Sequence, residues 1–520
     1  MFEDMKMKKK MKVFLSILIV SLACIQPLFA ASETTLIKLT LEEVKAALGK
    51  KRIFRDVDIS REDLTGVDLS KVTLYHSSLI EAILKNTRFA DSVLISSDLS
   101  KCNLQHSEMT GVKVENSNFT GADLRNANLT CAVITSGILK EADFSGSDLH
   151  YGIIRNSDLS NSVMNNTNLS FFSLIKTDLS NADLTKADMR GAYLSDIKLV
   201  NANMSDVNLS TAKIDDINMK GSEKSRTILT KANLSYAAIE SSKMDYTLMG
   251  GAYMNGISMN KVDLNYADLS YANISNAFIR DSEFNNADLH YTVLSESSLE
   301  GIECKDAKMS NVDLKKTDLK KAIMTGALMD TADLSGSDLS SANLKGANLT
   351  GARIESAELD GTDLTNAVLD GAIIKDVNLN RAVLVGTSLK NVDLKGLNLS
   401  GIKMNRAQLS GSSLNRVNFS NADLSFAILS GCDLGDANLQ GTNLTNADLS
   451  AATLVGVSLK DSNLRNTVFL NAKMSGADLE GADIKGADFS GVDIKSLKNL
   501  ELAKNAEKAK GLVMQEPVSE

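Results

Sequence analysis

The side chains best suited to metal binding or catalysis are few and widely separated along the chain. Histidines occur only at His76, His106, His150 and His290, which lie in different parts of the sequence. A protein zinc site needs three or four ligands, usually with short spacings between some of them. The glycine-rich motifs of phosphate-binding loops and dinucleotide-binding turns are also absent from the sequence. The sequence therefore predicts no catalytic residue, metal site or cofactor, and we expect a protein that is not an enzyme.

The composition favours one continuous hydrogen-bonded array over several globular domains. Of the 520 residues, 43% are hydrophobic, which is too many for a disordered chain. Only 5% are aromatic, which is too few to fill several rounded cores. The two prolines, Pro27 and Pro517, lie near the ends of the chain. Because proline has no backbone N–H, a long proline-free stretch is typical of a backbone that needs nearly every N–H for pairing.

The segment from Met1 to Ala30 has the pattern of a secretory signal peptide. Five lysines between Lys6 and Lys12 precede a short apolar stretch from Val13 to Ile25, and a cleavage site follows Ala30. We therefore expect an exported protein, periplasmic or secreted, with an uncleaved N-terminal anchor as the alternative. No other segment is apolar enough to span a membrane. Cleavage would leave a net charge of about −12, so direct nucleic-acid binding is not expected.

A period of five residues extends over most of the chain. Every fifth residue from Phe54 to Ile494 gives 89 positions, of which 88 are Leu, Ile, Val, Met, Phe or Cys; the exception is Lys224. The residue two before each of these is usually small, and the residue between them is often Asp or Asn. Since residues two apart on an extended segment face the same way, the small and the large residue both point inward. The remaining two residues turn the chain, and stacked units bury a column of apolar side chains.

This pattern resembles that of the pentapeptide-repeat proteins, whose motif is A(D/N)LXX. Ala422-Asp423-Leu424, Ala447-Asp448-Leu449 and Ala477-Asp478-Leu479 are close matches, and the resemblance covers about 440 residues. It implies an all-β fold, a right-handed quadrilateral β-helix with four five-residue units in each coil. The number of repeats then corresponds to about 22 coils.

The segments outside the repeats divide the chain into four parts. Residues 1–30 are the signal peptide, 31–53 an N-terminal cap, 54–494 the repeats, and 495–520 a C-terminal capping helix and tail. Thr40 and Glu43 have the spacing of a capping box for a helix over 41–48. The C-terminal helix is predicted because Leu497, Leu500, Ala503 and Ala506 recur at a spacing that suits a helix.

Residues 220–228 interrupt the repeat, since a polar stretch there places Lys224 at a core position. An insertion of one repeat length would leave the phase of the pattern unchanged. A looped insertion and a distorted coil therefore both remain open at the level of the sequence.

The resemblance also implies candidate functions, because some pentapeptide-repeat proteins protect DNA gyrase by presenting an acidic rod. Assigned by residue number alone, the four faces carry 11, 8, 5 and 8 acidic residues at the outward position, so acidity is dispersed. Together with the signal peptide, this favours a non-enzymatic exported scaffold that binds an unidentified protein or envelope partner. A DNA-mimicking inhibitor of a topoisomerase and an effector delivered into another cell are the alternatives. An end cap could also join two copies into a homodimer.

The best candidates for an interaction surface are Tyr246, Tyr266, Tyr271 and Tyr291. They form two pairs whose members are four repeat units apart, which is one coil, so each pair is predicted to stack at a corner. Tyrosine is frequent at binding surfaces because it combines a large apolar ring with a polar tip. Residues 220–295, which also contain a run of core methionines, are predicted to be the weak point of the rod. Cys102, Cys131, Cys304 and Cys432 are too far apart in the coils to pair, so we expect free thiols.

Overall fold

Backbone pairing in the computed structural model, which describes residues 35–512, joins each repeat unit to the fourth unit after it. Asp58 pairs in parallel with Ser78, and Asp98 pairs in parallel with Asn118. Four units separate the partners, so each coil has four sides. The structure is thus a parallel β-solenoid, which confirms the predicted fold class.

One side of the solenoid carries short strands over its N-terminal part. The strands are β1 Ile37–Lys38, β2 Ile53–Arg55, β3 Val57–Asp58, β4 Thr73–Tyr75, β5 Val93–Ile95, β6 Lys113–Glu115, β7 Val133–Thr135, β8 Ile153–Arg155, β9 Ser173–Ile175, β10 Tyr193–Ser195, β11 Lys213–Asp215, β12 Ala238–Glu240, β13 Ser258–Asn260 and β14 Phe278–Arg280. They form a twelve-stranded parallel sheet in the order β14 to β4, followed by β2, and a separate two-stranded sheet that joins β1 to β3.

About twelve turns therefore contain a regular strand, fewer than the roughly 22 coils predicted from the repeat. Beyond β14 the pairing of each coil with the next continues as single bridges, with an interruption described below, as far as the pair of Asp488 and Lys510. The corners explain the difference. In this part of the chain they close with a four-residue β-turn, as when the N–H of Ser337 donates to the carbonyl oxygen of Leu334. Such a turn leaves one bridging residue on each side of the coil.

The alternation within each unit is as predicted. Ala122 and Leu124 are 1% exposed, whereas Asp123 between them is only partly buried. The structure adds a reason for Asp or Asn at this position. Its side chain accepts a hydrogen bond from the N–H two residues later, as between Asp68 and Ser70 at 2.9 Å. This bond favours the ionised carboxylate, so hydrogen bonds from Ser70 hold the pKa of Asp68 below its usual value.

The corner residues adopt positive φ angles throughout the stack. Glycine suits this conformation, as at Gly66 with φ 69°, but Lys71 with φ 57° and Phe171 with φ 54° adopt it as well. The corner side chains project from the rod and can be of any size. The corners are thus the positions at which this fold can vary its surface without disturbing its core.

The N-terminal cap contains the predicted helix, α1, over Leu41–Leu48. Both hydrogen bonds of the capping box are present between Thr40 and Glu43, and Val44 is buried against the first coil. Strand β1 precedes the helix and pairs with β3. This cap covers the open edge of the first coil, as the end of a solenoid requires.

The predicted C-terminal capping helix is wrong. The described residues after the repeats form three short 3₁₀ turns, at Ile494–Ser496, Leu500–Leu502 and Ala506–Lys508. They belong to a last coil built from six-residue units, in which Lys498, Lys504 and Lys510 pair with Asp478, Asp483 and Asp488. A six-residue unit with two inward positions places apolar residues three apart, and this spacing also suits a helix. The signal peptide with its cleavage site at Ala30 and the tail after Leu512 lie outside the described residues.

The irregular segment is a looped insertion. Asn218 pairs with Lys243, five units later, whereas Ile228 pairs with Leu248, four units later as elsewhere. The additional unit, residues 222–226, forms what we call the insertion loop. It includes Lys224, which is exposed, and this explains why the one polar residue at an expected core position can be accommodated.

The region predicted to be the weak point keeps its pairing. Met244, Met249, Met254 and Met259 are at most 1% exposed, and each coil between residues 228 and 295 pairs with the next. The ladder is interrupted elsewhere, between residues 374 and 400. There the parallel pairs expected one coil apart, Ile373 with Asp393 and Asn378 with Asn398, are absent.

Candidate interaction surface

The four predicted tyrosines form two stacked pairs at corners of the solenoid. The rings of Tyr246 and Tyr266 have centroids 4.8 Å apart and an interplanar angle of 6°. The rings of Tyr271 and Tyr291 have centroids 5.0 Å apart and an angle of 7°. All four residues have positive φ, because they occupy the corner position of their units. We call these four residues the tyrosine surface.

Three of the four rings are well exposed. Tyr266, Tyr271 and Tyr291 retain 48%, 67% and 50% of their accessible surface. Tyr246 is half-buried, and the insertion loop lies at the same corner as Tyr246. Among residues 35–512, the hydroxyl groups of the four tyrosines make no hydrogen bond to another protein group. The tyrosine surface thus offers apolar ring edges together with polar groups that can bind a partner.

The base of the insertion loop covers a buried carboxylate next to this surface. The N–H of Gly221 donates to the carbonyl oxygen of Asp245 at 3.1 Å, and the Asp245 residue is only 6% exposed. Lys220 Nζ lies 3.6 Å from Asp245 Oδ2. Burial, together with the negative charges of Asp245 and Glu283, raises the pKa of the neighbouring Asp263. The contacts of Lys220 and Gly221 therefore hold Asp245, the residue directly before Tyr246, in place.

The two tyrosine pairs flank one side of the solenoid. Tyr266 and Tyr271 occupy consecutive corners, and the short segment between them carries Asp268 on its outer face. One coil further, Asp288 Oδ1 lies 2.5 Å from Nδ1 of His290. Asp268, Asp288 and His290 thus form a polar strip with one tyrosine pair on each edge.

A further aromatic corner was missed by the sequence analysis. Tyr151 and Phe171 stack with centroids 5.5 Å apart, and the Phe171 ring covers Gly191 one coil later. Tyr236 covers Gly256 in the same way. The signal was present in the sequence, because Tyr151 and Phe171 are one coil apart at the corner position.

Residues 35–512 bring no group of three histidine, cysteine, aspartate or glutamate side chains into a geometry that could hold a metal ion. Cys102, Cys304 and Cys432 are buried, and Cys131 is exposed at a corner; none of them is paired. Burial raises the pKa of the Cys102 and Cys304 thiols to about 12 and that of Cys432 to about 11. These three thiols are therefore fully protonated at neutral pH and unsuited to nucleophilic chemistry.

The insertion loop changes the assignment of acidic residues to faces. Counted along the paired columns of the structure, the four faces carry 10, 8, 9 and 4 acidic residues at the outward position between Asp58 and Asp493. Many of them are paired with lysine, as Asp313 and Asp333 are with Lys315. The acidity stays distributed over three faces after the correction. Within the described part of the chain, no helix combines the length and the apolar character needed to cross a bilayer.

Comparison with known families gives matches to Pentapeptide repeats over most of the coils. The matched residues are 74–223, 249–281, 287–326 and 332–491, which is more than half of the chain. The comparison with curated proteins finds no match.

Solved structures with similarity to this chain include a pentapeptide-repeat protein, a fluoroquinolone resistance protein and an alginate lyase. HetL of the cyanobacterium Nostoc, involved in heterocyst differentiation regulation, is 25% identical, with 49% of this chain and 89% of HetL covered and a TM-score of 0.17. QnrB1, a plasmid-mediated fluoroquinolone resistance protein, is 18% identical, with 39% and 91% covered and a TM-score of 0.21. The alginate lyase AlyGC is 10% identical, with 92% and 99% covered and a TM-score of 0.20. With TM-scores this low, none of these structures carries an argument about function.

Proposed function

This chain belongs to the pentapeptide-repeat family, and we propose that it is an exported, non-enzymatic scaffold that binds a protein partner through the tyrosine surface. The observation that carries the proposal is the pair of stacked tyrosine ladders on consecutive corners. Its four residues provide the largest group of paired aromatic rings on the described surface. Aromatic residues of this type are enriched where proteins bind one another.

The rigidity of the stacked rings supports a role in binding. Each ring is held parallel to its neighbour by a continuous backbone ladder, so little side-chain entropy remains to be lost when a partner binds. The polar strip between the ladders, with Asp268 and Asp288, supplies hydrogen-bond acceptors of defined position. A surface of this kind suits a protein partner that buries apolar groups on the two edges and donates hydrogen bonds to the centre.

Export is the part of the proposal that rests on the sequence alone. The lysine-rich start, the apolar stretch and the small residues around Ala30 support it. An exported scaffold would meet its partner in the periplasm, at the envelope or outside the cell. Cell fractionation with an antibody against the repeats tests this, and a purely cytoplasmic protein with an intact N-terminus would contradict it.

The binding role is tested by capture of partners from envelope fractions. The variant in which Tyr246, Tyr266, Tyr271 and Tyr291 are all changed to Ser should lose at least tenfold in the amount of specific partner retained, as expected for loss of several aromatic anchors. The control changes Tyr151 and Phe171 to Ser, because this pair has the same geometry on a different corner. If both variants retain the partner equally while both lose thermal stability, the tyrosine ladders only stiffen the stack.

Two other functions give different results in the same experiments. A DNA-mimicking topoisomerase inhibitor should inhibit supercoiling by gyrase at near-stoichiometric concentration and should be found in the cytoplasm. An effector should be recovered from recipient cells after co-culture. The dispersed acidic residues speak against mimicry, since a DNA mimic needs a continuous negative stripe along one face.

A further inference from the structure

Backbone hydrogen bonds are missing in both directions between two consecutive coils of the described part of the chain. In the preceding pair of coils, the donors bond to the next coil at 2.8 Å; these donors are Ile354, Ser356, Leu359 and Gly361. The equivalent donors one coil later make no such bond within residues 35–512; they are Ile374, Asp376, Leu379 and Arg381. The two remaining sides of the same coil stay joined, since Val383 pairs with Lys403 and Ser388 with Gln408, although within residues 35–512 the N–H of Lys403 makes no bond to Ala382. The coils are therefore joined along two sides and separated along the other two.

The outer side-chain ladder is broken at the same place. Asn378 Nδ2 donates to Glu358 at 2.8 Å, and Asn418 Nδ2 donates to Asn398 Oδ1 at 3.0 Å. Among the described side chains, no hydrogen bond joins Asn378 to Asn398, although two asparagines stacked one coil apart can form one, as Asn438 and Asn418 do. Backbone and side chains thus agree on the position of the interruption.

The core is more accessible at this gap than elsewhere in the stack. Ile374 is 9% exposed, the highest value among the buried apolar residues, and Leu379 is only partly buried. Most leucines at the equivalent position in other coils are at most 3% exposed. Solvent therefore reaches the apolar column along the separated sides.

The sequence contains a physical cause for this separation. Leu397 occupies the small inward position of its unit and is the only leucine found there between residues 54 and 494. Its neighbours in the column, one coil before and one coil after, are Val377 and Val417, so no small residue makes room for it. By contrast, Ile402 at the next small position lies between two alanines. Adding methylene groups to a filled core forces the surrounding backbone apart.

From these observations we infer that residues 372–411 form a hinge in the solenoid. The coils open at the corner that contains Asp376 and stay joined at the opposite corner, where the N–H of Gly386 donates to the carbonyl oxygen of Asn405 at 2.9 Å. The segments before and after the hinge keep their ladders. The rod therefore consists of two stiff parts whose relative angle changes by opening and closing the gap. This inference is independent of the proposed function.

Amide hydrogen exchange on the full chain provides the first test. The amides of Ile374, Asp376, Leu379 and Arg381 should exchange about tenfold faster or more than those of Ile354, Ser356, Leu359 and Gly361, which occupy the same positions one coil earlier. Equal protection of the two sets would overturn the hinge.

A variant at Leu397 tests whether overpacking by this side chain causes the coils to separate. Leu397→Ala removes the oversized side chain, so exchange at Ile374 and Leu379 should slow by about tenfold, towards the rate of the preceding coil. The control Leu399→Ala deletes a neighbouring, well-buried leucine and should instead speed up exchange, because it leaves a cavity. Faster exchange in both variants would show that Leu397 packs normally and would contradict the assigned cause.

Opening and closing is tested by a disulfide across the gap. In a Cys131→Ser background, Lys375→Cys and Lys395→Cys place two thiols one coil apart on the separated side. A disulfide requires the two Cα atoms to approach within about 7 Å. Oxidation should form the bond within the monomer and restore protection of Ile374 and Leu379. Failure to form any intramolecular bond would mean that the gap is fixed, and the hinge would be wrong.

Discussion

Two places at which a bulky residue occupies the small inward position of the repeat, Phe172 and Leu397, have opposite outcomes. Phe172 lies one coil after Gly152, and its ring occupies the space that a Cβ at Gly152 would need, with Cε2 only 2.6 Å from that position. Pairing there is intact, since the N–H of Ser173 donates to the carbonyl oxygen of Gly152 at 3.0 Å. At Leu397 the neighbours are Val377 and Val417, and the ladder is broken.

The difference shows that whether a side chain fits in this fold depends on the residues at the equivalent position in the adjacent coils, and not on its own position alone. Stacked coils have a fixed spacing, so the side chains one above another share a limited volume. A glycine one coil away compensates for a phenylalanine, whereas two valines cannot compensate for a leucine. A bulky residue can therefore be accepted or rejected according to residues in the adjacent coils.

The largest effect is expected from Gly152→Ala, which would make the first place resemble the second. The new Cβ would lie 2.6 Å from Phe172 and 2.9 Å from the carbonyl oxygen of Ala132, so the coils must separate or the ring must move. We expect the free energy of unfolding to fall by about 1–3 kcal/mol. Thermal denaturation measures the loss, and hydrogen exchange at Ser173 should become faster.

The matched control adds Phe172→Ala to Gly152→Ala. Removing the ring relieves its contact with the new methyl group but leaves the close contact with the carbonyl oxygen of Ala132, so the double variant should recover only part of the pairing at Ser173. If Gly152→Ala alone changes neither the unfolding midpoint nor the exchange, compensation along the column is not what keeps these coils together.

A smaller effect is expected from Val377→Ala, which would give Leu397 a small neighbour, as Phe172 has in Gly152. Hydrogen exchange should become slower in this variant, whereas it becomes faster in Gly152→Ala. Shortening this side chain gives Leu397 room from below, so exchange at Leu379 should slow and stability should change by less than about 1 kcal/mol. The comparison variant is Val207→Ala, in a column with intact pairing, where loss of buried methyl groups should cost about 1 kcal/mol. Equal destabilisation by both changes would argue against overpacking at Leu397.

The smallest effect concerns Asp333 and Asp338, two carboxylates in coils whose pairing is intact. Burial alone would raise the pKa of Asp333, but hydrogen bonds from Ser335 and Lys315 outweigh it and the pKa is lowered. The pKa of Asp338 is lowered in the same way, against burial, by Ser340 and Lys320.

A carboxylate whose pKa is lower in the folded than in the unfolded state stabilises the fold above its unfolded pKa, and this contribution is lost as the pH falls. The unfolding temperature should therefore decrease as the pH is lowered from 6 to about 3. Asp333→Asn and Asp338→Asn keep the acceptor oxygen but cannot titrate, so the double variant should depend less on pH, by under about 1 kcal/mol for each site. An unchanged pH profile would show that these ion pairs contribute nothing measurable.

Particular residues show where the sequence was sufficient and where it was not. The capping box of Thr40 and Glu43 was predictable, because both of its hydrogen bonds are local. The C-terminal segment was not predictable, since Leu497 and Leu500 have a spacing that suits both a helix and a six-residue coil unit. Only the bridges formed by Lys498, Lys504 and Lys510 with the preceding coil distinguish the two.

The candidate surface was predictable to a similar degree. A spacing of one coil was sufficient to predict the stacking of Tyr271 on Tyr291, because corner residues repeat once in each coil. The half-burial of Tyr246 was not predictable, since it depends on where the insertion loop leaves the coil. The loop also shifts all later residues by one face, so the count of acidic residues on each face required the actual pairing.

The sequence by itself determined the inward columns and the corners, because each follows from a local pattern repeated without loss of phase. Only the tertiary structure decided which coils are joined. Pairing between coils depends on the sum of the side-chain volumes that lie one above another in adjacent coils, and a pattern within a single repeat unit contains no information about that sum. The same residue type can therefore complete the ladder in one coil and open it in another.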